Sequence, residues 1–117
     1  MANLQFNEDE PLIGSGMVVY LEPYGLFNYS TWSGYIYVTN QRIVFQPLIS
    51  DIFTLELPLP ELTAFWTSKH FFIPGVTLCN KNTETFRFTG FKTKKLIGWL
   101  EQLGIRKSEK RKRKERI

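Results

Sequence analysis

His70 and Cys79, the one histidine and the one cysteine in the chain, are its best candidates for nucleophilic or metal chemistry. A zinc site needs four Cys or His ligands, or three and a water, so these two residues cannot form one. A Ser-His-Asp or Cys-His mechanism would have to use His70, and no partner motif accompanies it. The acidic run Glu8–Glu10 lacks the spacing and the glycine of a calcium loop. The sequence therefore predicts no catalytic residue, metal, cofactor or small-molecule substrate, and it does not indicate an enzyme.

Positive charge is concentrated in the last twelve residues of the 117-residue chain. Residues 106–117 contain eight basic and two acidic side chains, a net charge of +6, whereas residues 1–105 have a net charge of −2. The basic residues are Arg106, Lys107, Lys110, Arg111, Lys112, Arg113, Lys114 and Arg116. The segment has no apolar period, which predicts a disordered tail. Such a tail can bind an anionic membrane surface or, less favoured here, nucleic acid, or it can serve only solubility.

The rest of the chain has the size and patterning of one mainly β domain. Residues 1–10 are polar and are predicted to be loose, and the domain is expected to span residues 11–105. From Met17 onwards, short apolar runs alternate with turn residues, which is typical of an all-β fold. The predicted strands are 17–22, 34–39, 42–46, 52–57, 62–67, 76–80 and 83–89.

A helix is predicted after the last strand, because the apolar period changes there. Leu96, Trp99, Leu100 and Leu103 follow one another at the spacing of a single helical face. Thr93 is the expected N-cap, and Gly104 is the expected C-terminal stop. We expect this helix to cover the β core.

Four segments, in order along the chain, resemble the GRAM domain family. Residues 34–45 (GYIYVTNQRIVF) match its Gly-x-apolar-Tyr-apolar-Thr-x-x-Arg-apolar-x-Phe signature, and residues 57–62, 72–78 and 86–91 are similar to three shorter motifs. The resemblance covers about residues 17–103. It implies a pleckstrin-homology-like (PH-like) fold, a seven-stranded antiparallel β-sandwich or barrel capped by one C-terminal α-helix. It also implies a binding module for lipid headgroups or protein segments.

The resemblance implies that a phosphoinositide-binding domain would carry Lys and Arg in and beside the first strand connection. The predicted connection Pro23–Ser33 departs from this pattern. It contains no Lys or Arg, so a specific phosphoinositide pocket is not expected there. Its aromatic residues are suited to a lipid–water interface, but we favour the alternative that they cover the open end of the barrel. These residues are Tyr24, Phe27, Tyr29 and Trp32. The same two alternatives stay open for Trp66, near the end of the fifth predicted strand, and for Phe71 and Phe72 after it.

Three lysines at the start of the predicted helix form a second candidate anion site. Lys92, Lys94 and Lys95 oppose the helix dipole, and together with free backbone N–H groups they could attract an anion. The alternative is that they are ordinary solvated side chains.

The sequence therefore favours a non-enzymatic binding module of GRAM or PH-like type. We expect peripheral association with an anionic membrane, or an adaptor role, with the basic tail as an electrostatic anchor. The alternatives are a protein-interaction module without a lipid role and contact of the tail with nucleic acid. A single cysteine fits a reducing, cytoplasmic location.

Overall fold

The computed structural model describes residues 6–24, 28–49, 53–70 and 72–108. Within these ranges the chain forms seven strands and one α-helix. The strands are β1 (Leu12–Tyr24), β2 (Asn28–Thr39), β3 (Arg42–Pro47), β4 (Leu55–Pro58), β5 (Leu62–His70), β6 (Ile73–Asn80) and β7 (Thr85–Thr89), and the helix is α1 (Thr93–Gln102). The predicted fold class, mainly β with one C-terminal helix, is confirmed.

The strands form one antiparallel sheet in the order β4-β3-β2-β1-β7-β6-β5. Strands β4 and β5 lie at its two edges and do not pair with each other over the described residues, so the sheet is open and not a closed barrel. The antiparallel pairing places the β1–β2, β3–β4 and β6–β7 connections towards one end of the sheet. We call this the β1–β2 end. The β5–β6 turn and the β7–α1 connection lie on the opposite side, which we call the β5–β6 end.

The β2–β3 hairpin contributes four side chains to the core. Ile36 pairs with Phe45 and Val38 pairs with Ile43 across the two strands. All four side chains are buried in the same apolar cluster. Alternate residues of a strand point to the same face, and this is why the signature segment combines a tight turn with four core side chains.

Helix α1 closes the core, as predicted. Leu96 and Leu100 are fully buried, and Trp99 and Leu103 pack against the same cluster. The helix ends before Gly104, whose φ of 84° only glycine adopts without strain.

The predicted N-cap, Thr93, is wrong by one residue. Lys92 is the N-cap and makes no side-chain cap hydrogen bond, and Thr93 is already helical. The Thr93 hydroxyl donates to the Gly90 carbonyl at 2.6 Å, which ties the start of the helix to the end of β7.

The predicted connection at residues 23–33 is also wrong, because β1 and β2 continue pairing as far as Tyr24 opposite Asn28. This part of the hairpin is largely polar, so hydrophobic alternation did not reveal it. Strand β1 also begins at Leu12, five residues before the predicted start at Met17. Its early part contains Gly14, which lies under the indole of Trp99. A glycine in a strand often marks such a close approach.

The chain after the helix returns to the edge of the sheet. The Phe65 N–H donates to the Arg106 carbonyl at 2.9 Å, and the Ser108 N–H donates to the Phe65 carbonyl at 2.7 Å. Lys107 thereby forms a parallel bridge with Phe65. The segment that the sequence assigned to the tail therefore begins with three residues held against β5.

The packing of Trp99 on β1 gives a test of the helix position. Gly14→Ala places a methyl group inside the indole ring, so we expect a loss of about 1–3 kcal/mol in the free energy of unfolding. Gly98→Ala is the control, because nothing lies within 4 Å of the added methyl group, and it should gain about 1 kcal/mol. Urea unfolding followed by circular dichroism measures both changes. Wild-type stability for Gly14→Ala would contradict the contact.

Candidate functional site

The aromatic residues of the β1–β2 hairpin divide into packed and exposed side chains. The Trp32 indole N–H donates to Glu22 Oε1 at 2.9 Å, and its ring packs edge-on against Phe53, with centroids 5.1 Å apart. Trp32 therefore covers the core. Tyr29 is half exposed, and the Arg87 guanidinium lies 5.9 Å from the centre of its ring.

Two other candidates of this hairpin cannot be placed. Phe27 lies outside the described residues, and for Tyr24 only the backbone, at the end of β1, is described. The four aromatic residues are therefore not shown to form one surface. The interpretation that this group contacts a membrane has no geometric support beyond the exposure of Tyr29.

The three lysines at the start of α1 lie at the β5–β6 end of the sheet. Lys94 and Lys95 are exposed, and the aliphatic part of Lys92 crosses Gly16 of β1. None of the three makes an ion pair with another described residue. Their positive charges are therefore available to an external anion.

The backbone N–H groups at this helix start were expected to be free to bind an anion, but they are already hydrogen-bonded. The amides of Thr93, Lys94 and Lys95 donate to the carbonyls of residues 90, 91 and 92. These bonds use the donors that would otherwise face a ligand. The lysines therefore supply charge, and the backbone around them does not provide a built anion pocket.

The basic tail is described only at its beginning. Arg106 and Lys107 are exposed, while their backbone is held beside β5. Lys110, Arg111, Lys112, Arg113, Lys114 and Arg116 lie outside the described residues.

A buried ion pair that the sequence did not predict anchors residues 7–10 to the β2–β3 hairpin. Glu10 is only 3% exposed, and its carboxylate accepts hydrogen bonds from Arg42 Nε at 2.7 Å and from Thr39 Oγ1 at 2.8 Å. Arg42 also pairs with Glu56 of β4. The Thr39 hydroxyl oxygen accepts hydrogen bonds from the backbone N–H groups of Gln41 and Arg42, both at 3.0 Å. These two bonds close the turn.

This network is structural, because each of its charges already has a partner. The guanidinium of Arg42 lowers the pKa of Glu10 from an ordinary value near 4.5 to about 2, although burial acts in the opposite direction. Because residues 1–10 are polar, the sequence predicted that they are loose. No local pattern distinguishes Glu10 from the exposed Glu8 before it.

The histidine and the cysteine lie on neighbouring strands, and only the backbone of His70 is described. His70 ends β5, and Cys79 is a half-buried residue of β6. No group of three His, Cys, Asp or Glu side chains in the described ranges is placed to hold a metal ion. The described part of the chain also contains no helix long and apolar enough to cross a membrane.

Two solved structures have a fold similar to that of this chain. One is the C-terminal domain of an unknown protein from Leishmania infantum, with a TM-score of 0.63, 15% identity, and coverage of 80% of this chain and 84% of that one. The other is the PH domain of pleckstrin homology domain-containing protein family A member 5 from human, with a TM-score of 0.56, 10% identity, and coverage of 94% and 90%.

At these identities the likeness shows the fold, and the chain has a PH-like fold. No protein-family model and no curated protein matches the chain. The resemblance to the GRAM family therefore stays a prediction.

The Glu10–Arg42 pair predicts a loss of stability in acid. Because the folded pKa of Glu10 lies below its unfolded value, the stabilisation is complete above about pH 5 and is lost as the pH falls towards 2. We expect Glu10→Gln to cost about 2 kcal/mol at pH 7 and much less at pH 2. Urea unfolding across this range measures the difference, with Glu8→Gln as the exposed control. A pH-independent effect of Glu10→Gln would contradict the ion pair.

Proposed function

We propose that this protein is a non-enzymatic PH-like binding module that attaches peripherally to an anionic membrane surface, with its basic tail as an electrostatic anchor. One observation carries the proposal. The exposed basic side chains at the start of α1 and at Arg106 and Lys107 have no acidic partner among the described residues. The body of the domain, residues 1–105, is by contrast slightly acidic, with a net charge of −2.

The tail has enough charge for weak, reversible attachment. A basic residue near an anionic leaflet contributes about 1 kcal/mol, so a net charge of +6 gives at most about 6 kcal/mol. Salt reduces this value, because exposed charges are screened beyond about 8 Å at physiological ionic strength. Attachment of this kind needs no specific headgroup pocket, and none is expected in the lysine-free and arginine-free segment Pro23–Ser33. The surface that meets these requirements in a cell is the cytoplasmic leaflet.

A protein-interaction role through the sheet edge has less support. A peptide could add to β5 as a further strand, but the Phe65 amide and carbonyl on that edge are already bonded to Arg106 and Ser108. Binding of nucleic acid by the tail uses the same charge and is an outcome of the test below.

Vesicle binding tests the role of the tail. We expect the full chain to cosediment with phosphatidylserine-containing vesicles and not with neutral phosphatidylcholine vesicles, and 0.5 M salt should release it. A chain ending at Ser108 keeps the contacts to β5 and removes a net charge of +4. It should bind at least tenfold more weakly.

Two comparisons complete this experiment. A chain with the order of residues 109–117 scrambled keeps the charge and should bind like the wild type. Unchanged binding of the shortened chain would refute the electrostatic anchor. Stronger, salt-dependent binding of the tail to an oligonucleotide than to vesicles would favour the nucleic-acid alternative.

A further inference from the structure

Two exposed phenylalanine side chains lie at the β5–β6 end of the sheet. Phe72 lies in the β5–β6 turn and Phe91 in the β7–α1 connection, and they are 85% and 68% exposed. Ile73, beside Phe72, is 41% exposed. The two segments are joined where the Gly90 N–H donates to the Pro74 carbonyl at 3.0 Å. We call Phe72, Ile73 and Phe91 the apolar tip.

The apolar tip is not explained by the packing of the domain. Phenylalanine side chains are mostly buried in folded proteins, so two that are exposed at one end of a sheet indicate a candidate interaction site. Phe72 also has a φ of 70°, in the left-handed region that favours glycine or asparagine. Strain held at an exposed aromatic residue points to a function for its side chain.

Basic side chains flank the apolar tip. Lys69 is exposed and pairs with Pro74 across the β5–β6 hairpin. Lys94 and Lys95 are exposed in the first turn of α1, directly after Phe91. This combination of aromatic and cationic side chains suits an anionic lipid surface, where aromatic rings lie at headgroup level and lysines contact phosphates.

The acidic residues 8–10, which precede β1, do not lie next to the apolar tip. Residues 8–10 lie beside the β2–β3 turn, where Thr39 pairs with Leu12, whereas Thr89 of β7 pairs with Val19. Seven residues of β1, roughly 23 Å, separate these two places, and Phe91 lies two residues past Thr89 towards this acidic cluster, which leaves about 16 Å. The positive potential at the apolar tip is therefore not cancelled by this cluster.

The tail leaves the domain towards the same end. Residues 106–108 run parallel to β5, and β5 itself runs from Leu62 to His70, next to the β5–β6 turn. The turn lies about 17 Å beyond Phe65 along the strand. The nine residues after Ser108 can span up to about 30 Å, so the tail can reach a surface that the apolar tip touches.

We propose that the apolar tip is the membrane-docking surface of this domain. This proposal rests on the proposed function and adds the orientation of the domain. Phe72 and Phe91 enter the headgroup region of an anionic bilayer, and the flanking lysines contact lipid phosphates. The β1–β2 end then faces away from the membrane.

Paired substitutions at the two ends test this orientation. Phe72→Asn removes the ring and relieves the left-handed strain, so the melting temperature should rise by roughly 3–6 °C while binding to phosphatidylserine vesicles falls about tenfold. Phe91→Ser should weaken binding similarly. The control is Ile49→Asn, which removes a 93% exposed side chain after β3 and should leave binding unchanged. Equal effects at residues 49 and 72, or no effect of either phenylalanine substitution, would overturn the docking surface.

Site-specific labelling separates failure of the orientation from failure of the proposed function. In a Cys79→Ser background, the fluorophore NBD is attached to a cysteine replacing Phe72 or, at the β1–β2 end, Asn82. We expect the emission to rise and shift to the blue on anionic vesicles only for the label at residue 72. A response only at residue 82, or equal responses, overturns the orientation but leaves membrane binding intact. If the wild-type chain does not bind anionic vesicles at all, the proposed function fails as well.

Discussion

The packing of helix α1 against the open sheet is the contact on which the rest of the structure depends. A sheet that does not close leaves apolar side chains uncovered, and Leu96 and Leu100 of the helix bury them. Burial of such side chains is the main source of stability in a domain of this size. Because the helix lies across β1, this strand has glycines at positions 14 and 16, where Trp99 and Lys92 approach its backbone.

The position of the helix also decides where charge and apolar surface accumulate. Its first turn carries exposed lysines to the β5–β6 end, and its last turn returns the chain to the edge of β5. The basic tail therefore starts from an ordered position and points towards the end that carries the apolar tip. A charged segment contributes more to attachment when its origin lies near the surface that it contacts, because its effective concentration there is higher.

The proposed docking surface does not lie at the β1–β2 hairpin, which the resemblance made the first candidate for lipid binding. The β1–β2 hairpin has neither the basic residues for a phosphoinositide pocket nor a demonstrated aromatic surface, since Trp32 packs on Phe53. The β5–β6 end has exposed aromatic side chains and lysines that form no ion pair with another described residue, and residues 106–108 run towards it. A shared fold thus does not fix which end of the domain binds, because function depends on the side chains that a fold carries.

The sequence by itself determined the elements whose apolar period is strong and local. It predicted both strands of the β2–β3 hairpin and the helix with its stop at Gly104, because those signals repeat within a few residues. It missed the polar extension of the β1–β2 hairpin, whose pairing does not depend on burial. Only the tertiary structure decided that Glu10 is buried against Arg42 and that Phe72 and Phe91 share one end of the sheet. Both juxtapositions join residues far apart in the chain, and long-range pairing leaves no local pattern to read.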